Sequence, residues 1–287
     1  MSEAALKPGL WRQTLHVATG NPVTLIAVGL LLVLLVLAAF GPMIVPYDPL
    51  ASDAGPALQP PTAAHWFGTD DLGRDVLSRV VAATRLDLVI SVAAVGLSFA
   101  AGSALGAAAG YYGGWFDAIS GRLIDTIMAF PLFVLAMGIM AAAGNTVQNV
   151  VYATAIINLP FYARLSRTEV MVRSKSGYVQ AARLCGNRDW RILALVIVPN
   201  ILPPLMVQAS LNLGWSILNA AGLSFIGLGV RPPSPEWGIM VAEGAEFITA
   251  GQWWLALFPG AALMLAVFTF NLLGDGLRDL ADPLRRT

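Results

Sequence analysis

The amino-acid sequence predicts an all-α membrane protein with six transmembrane helices and both termini in the cytoplasm. Three observations lead to this prediction: an apolar composition, long stretches without charge, and an uneven distribution of positive charge. Of the 287 residues, 57% are hydrophobic and only 12% are charged, and the mean hydropathy is +0.70. Charged residues make up about 25% of an ordinary soluble domain, so we expect this chain to lie in a bilayer.

The charge-free stretches predict the number of helices. About 20 apolar residues cross a bilayer, and a charged residue at the centre of a spanning helix costs about 2.5 to 3.5 kcal/mol. Five stretches lack charge altogether: 17–47, 88–116, 126–163, 192–230 and 247–274. The third is long enough for two helices, with a tight turn at Gly144 and Asn145 between them. Three prolines early in the fourth favour a single helix over 205–226.

The positive charges predict the orientation. With both termini in the cytoplasm, 13 of the 17 lysine and arginine residues lie on the cytoplasmic side, in agreement with the positive-inside rule. The four exceptions are Arg74, Arg79, Arg85 and Arg231. The predicted organisation is a cytoplasmic N-terminus with the first transmembrane helix (1–46), an extracytoplasmic segment (47–87), and a five-helix transmembrane domain (88–287) with a cytoplasmic loop at 164–191.

The composition excludes several classes of function. A formal net charge of zero provides no concentrated basic surface for a nucleic acid. The single cysteine, Cys185, cannot form an intrachain disulfide and lacks companion ligands for a metal. His16 and His65 fall on opposite sides of the predicted membrane and cannot form a catalytic pair. The sequence has no G-x4-G-K-[ST] phosphate-binding loop, so we expect no bound cofactor and no catalysis by this chain.

Small residues recur at four-residue spacing in the second predicted helix. Gly102, Gly106 and Gly110 form a stripe, with alanines and a serine between them. Such a stripe lets two helix backbones approach closely in lipid, where packing replaces the hydrophobic effect. We favour packing inside this chain; contact with a second membrane subunit is the alternative.

The cytoplasmic loop at 164–191 contains seven basic residues and a predicted helical elbow. Ser176 is the predicted N-cap of a short helix over 178–185, and Gly186 can take the left-handed conformation at the helix end. Asn187 is predicted to cap a second helix that returns to the membrane. A partner that grips this elbow could move the attached helices; attachment of the loop to an anionic leaflet is the alternative.

Four motifs carry a resemblance to a known family. QAARLCG at 180–186, followed by nine residues and VIVPN, resembles the E-A-A-x3-G-x9-I-x-L-P signature of importer permeases of the ATP-binding-cassette superfamily. Gln180 replaces the usual Glu of that signature, and Val196 and Val198 replace Ile and Leu. The other motifs are HWFGTDDLGRDVLSR at 65–79, GLSFIGLGVRPPSPEWG at 222–238 and NLLGDGLRDLADP at 271–283. Together they are similar to the C-type permease of dipeptide, oligopeptide and nickel importers, over nearly the whole chain.

The resemblance implies a type I importer permease in the bacterial inner membrane. The implied coupling helix, which docks onto an ATP-binding subunit, contains Tyr178, Gln180, Ala181, Ala182, Arg183 and Gly186. The implied partners are a second permease subunit, two ATP-binding subunits or domains that hold ATP and Mg²⁺, and an extracytoplasmic solute-binding protein. The implied function is ATP-driven uptake of di- or oligopeptides, with nickel, glutathione or another small solute as the alternative cargo.

Polar residues in otherwise apolar helices indicate a candidate translocation path. Asn212, Ser216 and Asn219 share one face of the fifth predicted helix, because they are spaced by four and three residues. Bonding between helices is the alternative role, since buried amides in lipid need partners. The span cores contain no Asp, Glu, Lys, Arg or His, which argues against a proton-coupled secondary transporter.

Two predicted outer segments carry clustered charges. The acidic residues at 70–79 could suggest a metal site, but the arginines among them would repel a cation. A salt-bridged loop or a contact with a binding protein is therefore favoured. The second segment, with Trp237 and Met240, predicts an interfacial helix whose glutamates, including Glu236 and Glu243, are solvated.

Overall fold

The computed structural model describes residues 22–281, which form a bundle of helices. The helices are α1 (Pro22–Ile44), α2 (Val76–Tyr112), α3 (Gly114–Met128), α4 (Leu132–Ala143), α5 (Val147–Arg173), α6 (Gly177–Leu184), α7 (Asp189–Phe225), α8 (Trp237–Ala245) and α9 (Trp254–Ala281). Pairing of β type within this range is confined to an isolated bridge between Thr69 and Asp75. The predicted cytoplasmic ends, up to residue 21 and from residue 282, lie outside the described residues.

Four of the described helices are long and apolar enough to cross a membrane: α1, α2, α7 and α9. α3 and α4 reach the required length together, but they meet at an angle of 87°. α5 has 27 residues, about 40 Å of helix, and is less apolar because it contains polar residues near its start and four charged residues from Arg164 to Arg173. The prediction of an all-helical membrane fold is therefore confirmed. The count of six spans and the location of the termini stay predictions.

α2 begins twelve residues before its charge-free stretch. Its N-cap is Asp75, whose Oδ2 accepts a hydrogen bond from Ser78 N at 2.8 Å. The helix has 37 residues, about 55 Å, which exceeds the hydrocarbon core of about 30 Å. Arg79 and Asp87 therefore lie on a regular helix and not in an irregular outer loop.

The third charge-free stretch is divided by a turn at the predicted position, between α4 and α5. Gly144, with φ of +89°, follows α4, and Thr146 caps α5 by accepting a hydrogen bond from Asn149 N at 3.2 Å. The turn at Gly144 and Asn145 is thus confirmed. α4 has only 12 residues, about 18 Å, so it cannot cross the hydrocarbon core without the preceding α3.

The prolines of the fourth stretch do not shorten its helix, so the predicted start near residue 205 is wrong. α7 runs from Asp189 to Phe225 and includes a π-helical turn at Ile192–Ile197. Pro199 lies in the first turn of the α-helical part that follows, where the missing N–H has little cost. Prolines further along are tolerated in membrane helices because neighbouring groups satisfy the freed carbonyls.

α2 lies at the centre of the bundle. It packs along α5 for most of its length and also contacts α1 and α7, while α9 packs against α7 and α1. Three apolar clusters fill the spaces between helices. The first lies around Trp237 between α1, α2, α8 and α9; the second lies around Ile90 and Met140; the third lies around Tyr162 and Val179, beside α6.

The predicted interfacial helix is buried in protein instead. α8 packs against α7, α9 and α2, and Trp237 and Met240 are only 1% and 5% exposed. Trp237 Nε1 donates a hydrogen bond to Val80 O at 3.0 Å, and Glu236 is fully buried instead of solvated. The prediction was wrong because the apolar face of α8 fills a cleft between three helices, which the local pattern cannot distinguish from a headgroup region.

Candidate functional site

The predicted elbow is present between α5 and α7. α6 has Ser176 at its N-cap and Cys185 at its C-cap. Ser176 has the extended backbone of an N-cap, but its Oγ donates to Arg173 O at 2.5 Å instead of accepting from a helix N–H. This bond fixes the sharp turn by which the chain leaves α5 and enters α6.

Gly186 ends α6 in a Schellman motif. Its φ is +76°, Gly186 N donates to Arg183 O at 2.9 Å, and Asn187 N donates to Ala182 O at 3.3 Å. A Cβ atom at Gly186 would meet no described atom within 4 Å. Glycine is therefore favoured here by its backbone conformation and not by lack of space.

Asn187 does not cap α7, contrary to the prediction. Its Nδ2 donates to Ala182 O at 3.0 Å, so the side chain reinforces the end of α6. The N-cap of the following helix is Arg188, which makes no side-chain capping bond. Because the main-chain N–H and the side-chain amide of Asn187 both donate to Ala182 O, Asn187 forms part of the end of α6.

α6 is attached to the membrane helices through one face. Val179 is fully buried with Ile192 and Ile197 of α7, and Ala182 is partly buried beside it. The opposite side exposes the other predicted docking residues, namely Tyr178, Gln180, Ala181, Arg183 and Gly186. Leu184 is 90% exposed, an unusual position for a large apolar side chain. These exposed residues form a surface, here termed the elbow surface, that a protein partner could cover.

A polar contact joins the elbow to the end of α2. Tyr111 OH donates to Asp189 Oδ1 at 2.7 Å, and the Arg183 guanidinium lies 5.5 Å from the centroid of the Tyr111 ring. Sequence reasoning missed this contact, because Tyr111 is far from the elbow in the chain. α6 is thereby connected to α2 as well as to α5 and α7.

The first residues of the predicted cytoplasmic loop are helical and belong to α5. Arg167 forms a bidentate ion pair with Asp117 of α3, in which Nη2 lies 2.6 Å from Oδ2. Arg164 Nη2 lies 2.7 Å from Asp125 Oδ1. These two pairs bind α3 to the end of α5 that leads into the elbow.

The glycine stripe of α2 faces α5. A Cβ atom at Gly102, Gly106 or Gly110 would lie 2.6 Å or less from a main-chain oxygen of α5. The oxygens concerned belong to Leu159, Ala163 and Arg167. The two backbones are therefore in direct contact within one chain, over two turns of helix.

Two of the three candidate path residues are buried where α7 meets α5. Asn158 Nδ2 donates to Ser216 Oγ at 3.1 Å, and Gln208 Nε2 donates to Asn212 Oδ1 at 3.0 Å. Asn219 is only partly buried. Ser216 thus takes part in bonding between helices in this conformation, and the assignment of the three residues to a translocation path stays a prediction.

The outer segment forms a buried cluster of ion pairs. Arg74 Nε lies 2.6 Å from Asp70 Oδ2, and Arg79 Nε lies 3.5 Å from the same oxygen. Arg79, which is 1% exposed, also places Nη2 3.6 Å from Glu243 Oε2 of α8. Burial raises the pKa of Glu243, against the opposing effect of the two arginines. These four residues, termed the outer ion cluster, connect the outer segment with α2 and α8.

Comparison with protein families identifies the chain. Residues 102–287 match the family described as binding-protein-dependent transport system inner membrane component. Residues 9–61 match the N-terminal transmembrane domain of oligopeptide transport permease C. The elbow at 177–191 falls inside the first of these matches.

Individual relatives agree with this assignment. The chain is 44% identical to the probable D,D-dipeptide transport system permease protein of Escherichia coli K12, over 92% of this chain and 88% of the relative. It is 40% identical to a dipeptide transport system permease protein of Alkalihalophilus pseudofirmus, over 95% and 90%. It is 41% identical to a glutathione transport system permease protein of Pectobacterium atrosepticum, over 95% and 89%. The chain therefore belongs to the binding-protein-dependent transport system inner membrane component family, and it is a multi-pass permease of the inner membrane.

Proposed function

We propose that this chain is the permease subunit of an ATP-driven importer of di- or oligopeptides. It forms the translocation path with a second permease subunit, and it receives its cargo from an extracytoplasmic solute-binding protein. One observation carries the proposal: the chain is 40–44% identical, over 92–95% of its length, to permeases named for D,D-dipeptide and dipeptide transport.

The elbow surface supports a docking role toward two ATP-binding subunits. ATP and Mg²⁺ are held by those subunits, because this chain has no phosphate-binding loop in its sequence. Gln180 lacks the charge of the Glu usual in the signature, so shape and flanking charge do the coupling. Leu184 supplies an apolar contact and Arg183 a positive charge next to it.

The six-span organisation belongs to the same proposal. The spans are α1, α2, the bent pair α3 and α4, α5, α7 and α9, with α6 on the cytoplasmic side. Residues 1–46 and 47–87 remain the proposed first unit and outer segment, and 88–287 the proposed transmembrane domain. A movement that separates α5 from α7 would uncover Asn212 and Ser216 beside Asn219, which together are the proposed lining of the path.

Uptake by the reconstituted transporter tests the function. Proteoliposomes containing this chain, its partner permease and the ATP-binding subunits are loaded with ATP, and binding protein with labelled dipeptide is added outside. We expect uptake of the dipeptide that requires ATP and the binding protein. Uptake without ATP would instead identify an ion-coupled secondary transporter.

Glutathione is the second candidate cargo, because a glutathione transport permease is 41% identical to this chain. Competition distinguishes the candidates: unlabelled dipeptide, glutathione and Ni²⁺ are each added in excess to the dipeptide uptake assay. Only dipeptides should compete if the proposal is right. Failure of dipeptide uptake together with ATP-dependent glutathione uptake would reassign the cargo and leave the machinery unchanged.

A further inference from the structure

Two carboxyl groups are buried next to each other where α8 meets α2. Asp87 of α2 is 3% exposed and Glu236, directly before α8, is 0% exposed. The two carboxyl groups lie side by side, because they accept hydrogen bonds from three consecutive main-chain N–H groups at the start of α8. Neither residue has a place in the proposed docking surface or translocation path. A hydrogen bond between two carboxyl groups requires that one of them carries a proton.

The main-chain donors around the pair are divided unequally. Glu236 accepts hydrogen bonds from Gly238 N through Oε1 and from Ile239 N through Oε2, both at 2.9 Å, at the first turn of α8. Asp87 accepts a single bond, from Trp237 N to Oδ2 at 3.1 Å. Glu236 thus has two main-chain N–H donors and Asp87 has one, so Asp87 has the greater unfilled hydrogen-bonding capacity. The proton therefore belongs mainly on Asp87.

The surroundings of the pair provide no neutralising cation. No Lys, Arg or His nitrogen of the described residues lies within 4.0 Å of either carboxyl group. The neighbouring helices cannot supply one, since the stretches 22–44, 126–163, 192–230 and 247–274 contain no acid or base except two tyrosines.

The charged groups on the elements that carry the pair are engaged elsewhere or exposed. On α2, Arg79 belongs to the outer ion cluster and Arg85 is exposed. Arg231, on the segment that leads to Glu236, is exposed. On α8, Glu243 faces Arg79 and adds further negative charge. Two ionised carboxylates side by side at such a site would repel each other, and no neighbouring cation of the described residues would compensate for this repulsion.

We propose that Asp87 and Glu236 share one proton, and that this carboxyl pair is a pH-sensitive latch which holds α8 on α2. Loss of the proton leaves two buried negative charges in contact, and α8 is pushed away from α2. With the predicted orientation the latch lies on the outer side, so alkaline external medium releases it and promotes opening there. The gating role rests on the proposed function, whereas the shared proton does not.

The sign of the pH effect follows from the proton count. Near neutral pH the folded chain holds a proton that the unfolded chain, with ordinary carboxyl groups, has released. The free energy of unfolding therefore falls as pH rises, until the folded pair loses its proton. For one proton we expect a decrease in Tm of about 2 to 5 °C per pH unit.

Infrared spectroscopy and thermal unfolding test the shared proton. The full chain, assembled with its partner subunits in nanodiscs, is measured from about pH 6 to about pH 9. We expect the C=O stretch of a protonated carboxylic acid in the wild type, its loss in Asp87→Asn, and a Tm of Asp87→Asn that no longer falls with pH. Persistence of the band in Asp87→Asn, or no such band in the wild type, would overturn the proposal.

Three further variants make the result specific. Glu236→Gln removes the carboxylate that shares the proton. Asp87 should then ionise at a lower pH than in the wild type, and the C=O band of its protonated form should disappear at that lower pH. Asp53→Asn, a change at an exposed outer carboxyl, and Glu243→Gln should both keep the band. A band that is lost in Glu243→Gln would place the proton in the outer ion cluster and contradict the pair.

The transport assay separates the latch from the proposed function. Dipeptide uptake of the wild type is compared with that of Asp87→Asn, whose neutral amide imitates the protonated aspartate, while only the external pH is changed. We expect uptake by the wild type to change at least about threefold across the range and uptake by Asp87→Asn to stay constant. Equal pH dependence of both proteins would refute the gating role. Absence of dipeptide uptake in both would refute the proposed cargo and leave the infrared result standing.

Discussion

The elbow surface and the outer ion cluster lie on different parts of the bundle and are stabilised in opposite ways. The elbow is attached by one buried side chain, Val179, and a few polar bonds, and it exposes Leu184 to 90%. The outer ion cluster buries Arg79 to 1% exposure, between Asp70 and Glu243. The first region leaves apolar surface exposed, whereas the second is buried and forms its ion pairs within the chain. Changes in the outer cluster should therefore act on stability, and changes in the elbow on assembly and coupling.

The largest expected effect is that of Arg79→Leu. This change removes one of the two arginines that face Asp70 and partly buried Glu243 and leaves Arg74 as their remaining cation, so the free energy of unfolding should fall by about 3 kcal/mol. Thermal unfolding of the purified chain in detergent measures the loss. Arg85→Leu is the matched control, because Arg85 is an exposed arginine on the same helix and should cost under about 0.5 kcal/mol. Equal losses in both variants would show that burial in the outer ion cluster does not determine the effect on stability.

Leu184→Ser should act on assembly and leave stability unchanged. Burial of a leucine contributes about 1.5 to 3 kcal/mol, so the ATP-binding subunits should bind about 10 to 150 times more weakly. The Tm of the isolated chain should not change, since Leu184 is 90% exposed. Binding is measured by titration of ATP-binding subunits onto the chain in nanodiscs. Leu72→Ser, at a 51% exposed leucine of the outer segment, should leave their affinity unchanged, and a comparable weakening there would contradict the docking role.

Gly186→Val should weaken the coupling of uptake to ATP hydrolysis. Its expected energetic cost is smaller than that of the two preceding changes. A β-branched residue at φ of +76° costs about 1 to 2 kcal/mol, so the end of α6 should change its path to relieve the strain. Uptake should fall about tenfold, equivalent to about 1.4 kcal/mol, while ATP hydrolysis continues. Both rates are measured in the same proteoliposomes. Gly177→Val, at a helical glycine without positive φ, is the control, and normal uptake by Gly186→Val would disprove the lever.

The features that the sequence predicted correctly depend on local chemistry. The left-handed conformation of Gly186 could be predicted from its position at a helix end. The turn at Gly144 and Asn145 could be predicted because these two residues interrupt an apolar stretch. The family motifs likewise lie in continuous segments. Length, charge and turn chemistry therefore suffice for the helical membrane fold and for the position of the elbow.

The features that the sequence did not predict depend on contacts between distant segments. From the sequence, Asn187 could cap the following helix or bond to the preceding one. In the structure its Nδ2 donates to Ala182 O, at the end of α6. Glu236 is buried because Asp87 and three helices surround its segment, and its local pattern resembles that of a solvated glutamate. The prolines of α7 would break a helix in water, but a bilayer offers the chain no other partner for its main-chain groups.

The direct backbone contact of Gly106 with Ala163 has a consequence for the biosynthesis of the protein. The two residues are 57 positions apart (163 minus 106), and a ribosome adds about 5 to 20 residues per second. α2 therefore waits about 3 to 11 seconds in the translocation machinery or the lipid before α5 has been made. During this interval its small-residue face is open to any other helix in the membrane. The glycine stripe of α2 permits close packing against α5 in the mature bundle. Until α5 has been made, the same stripe exposes the nascent chain to pairing with a wrong helix.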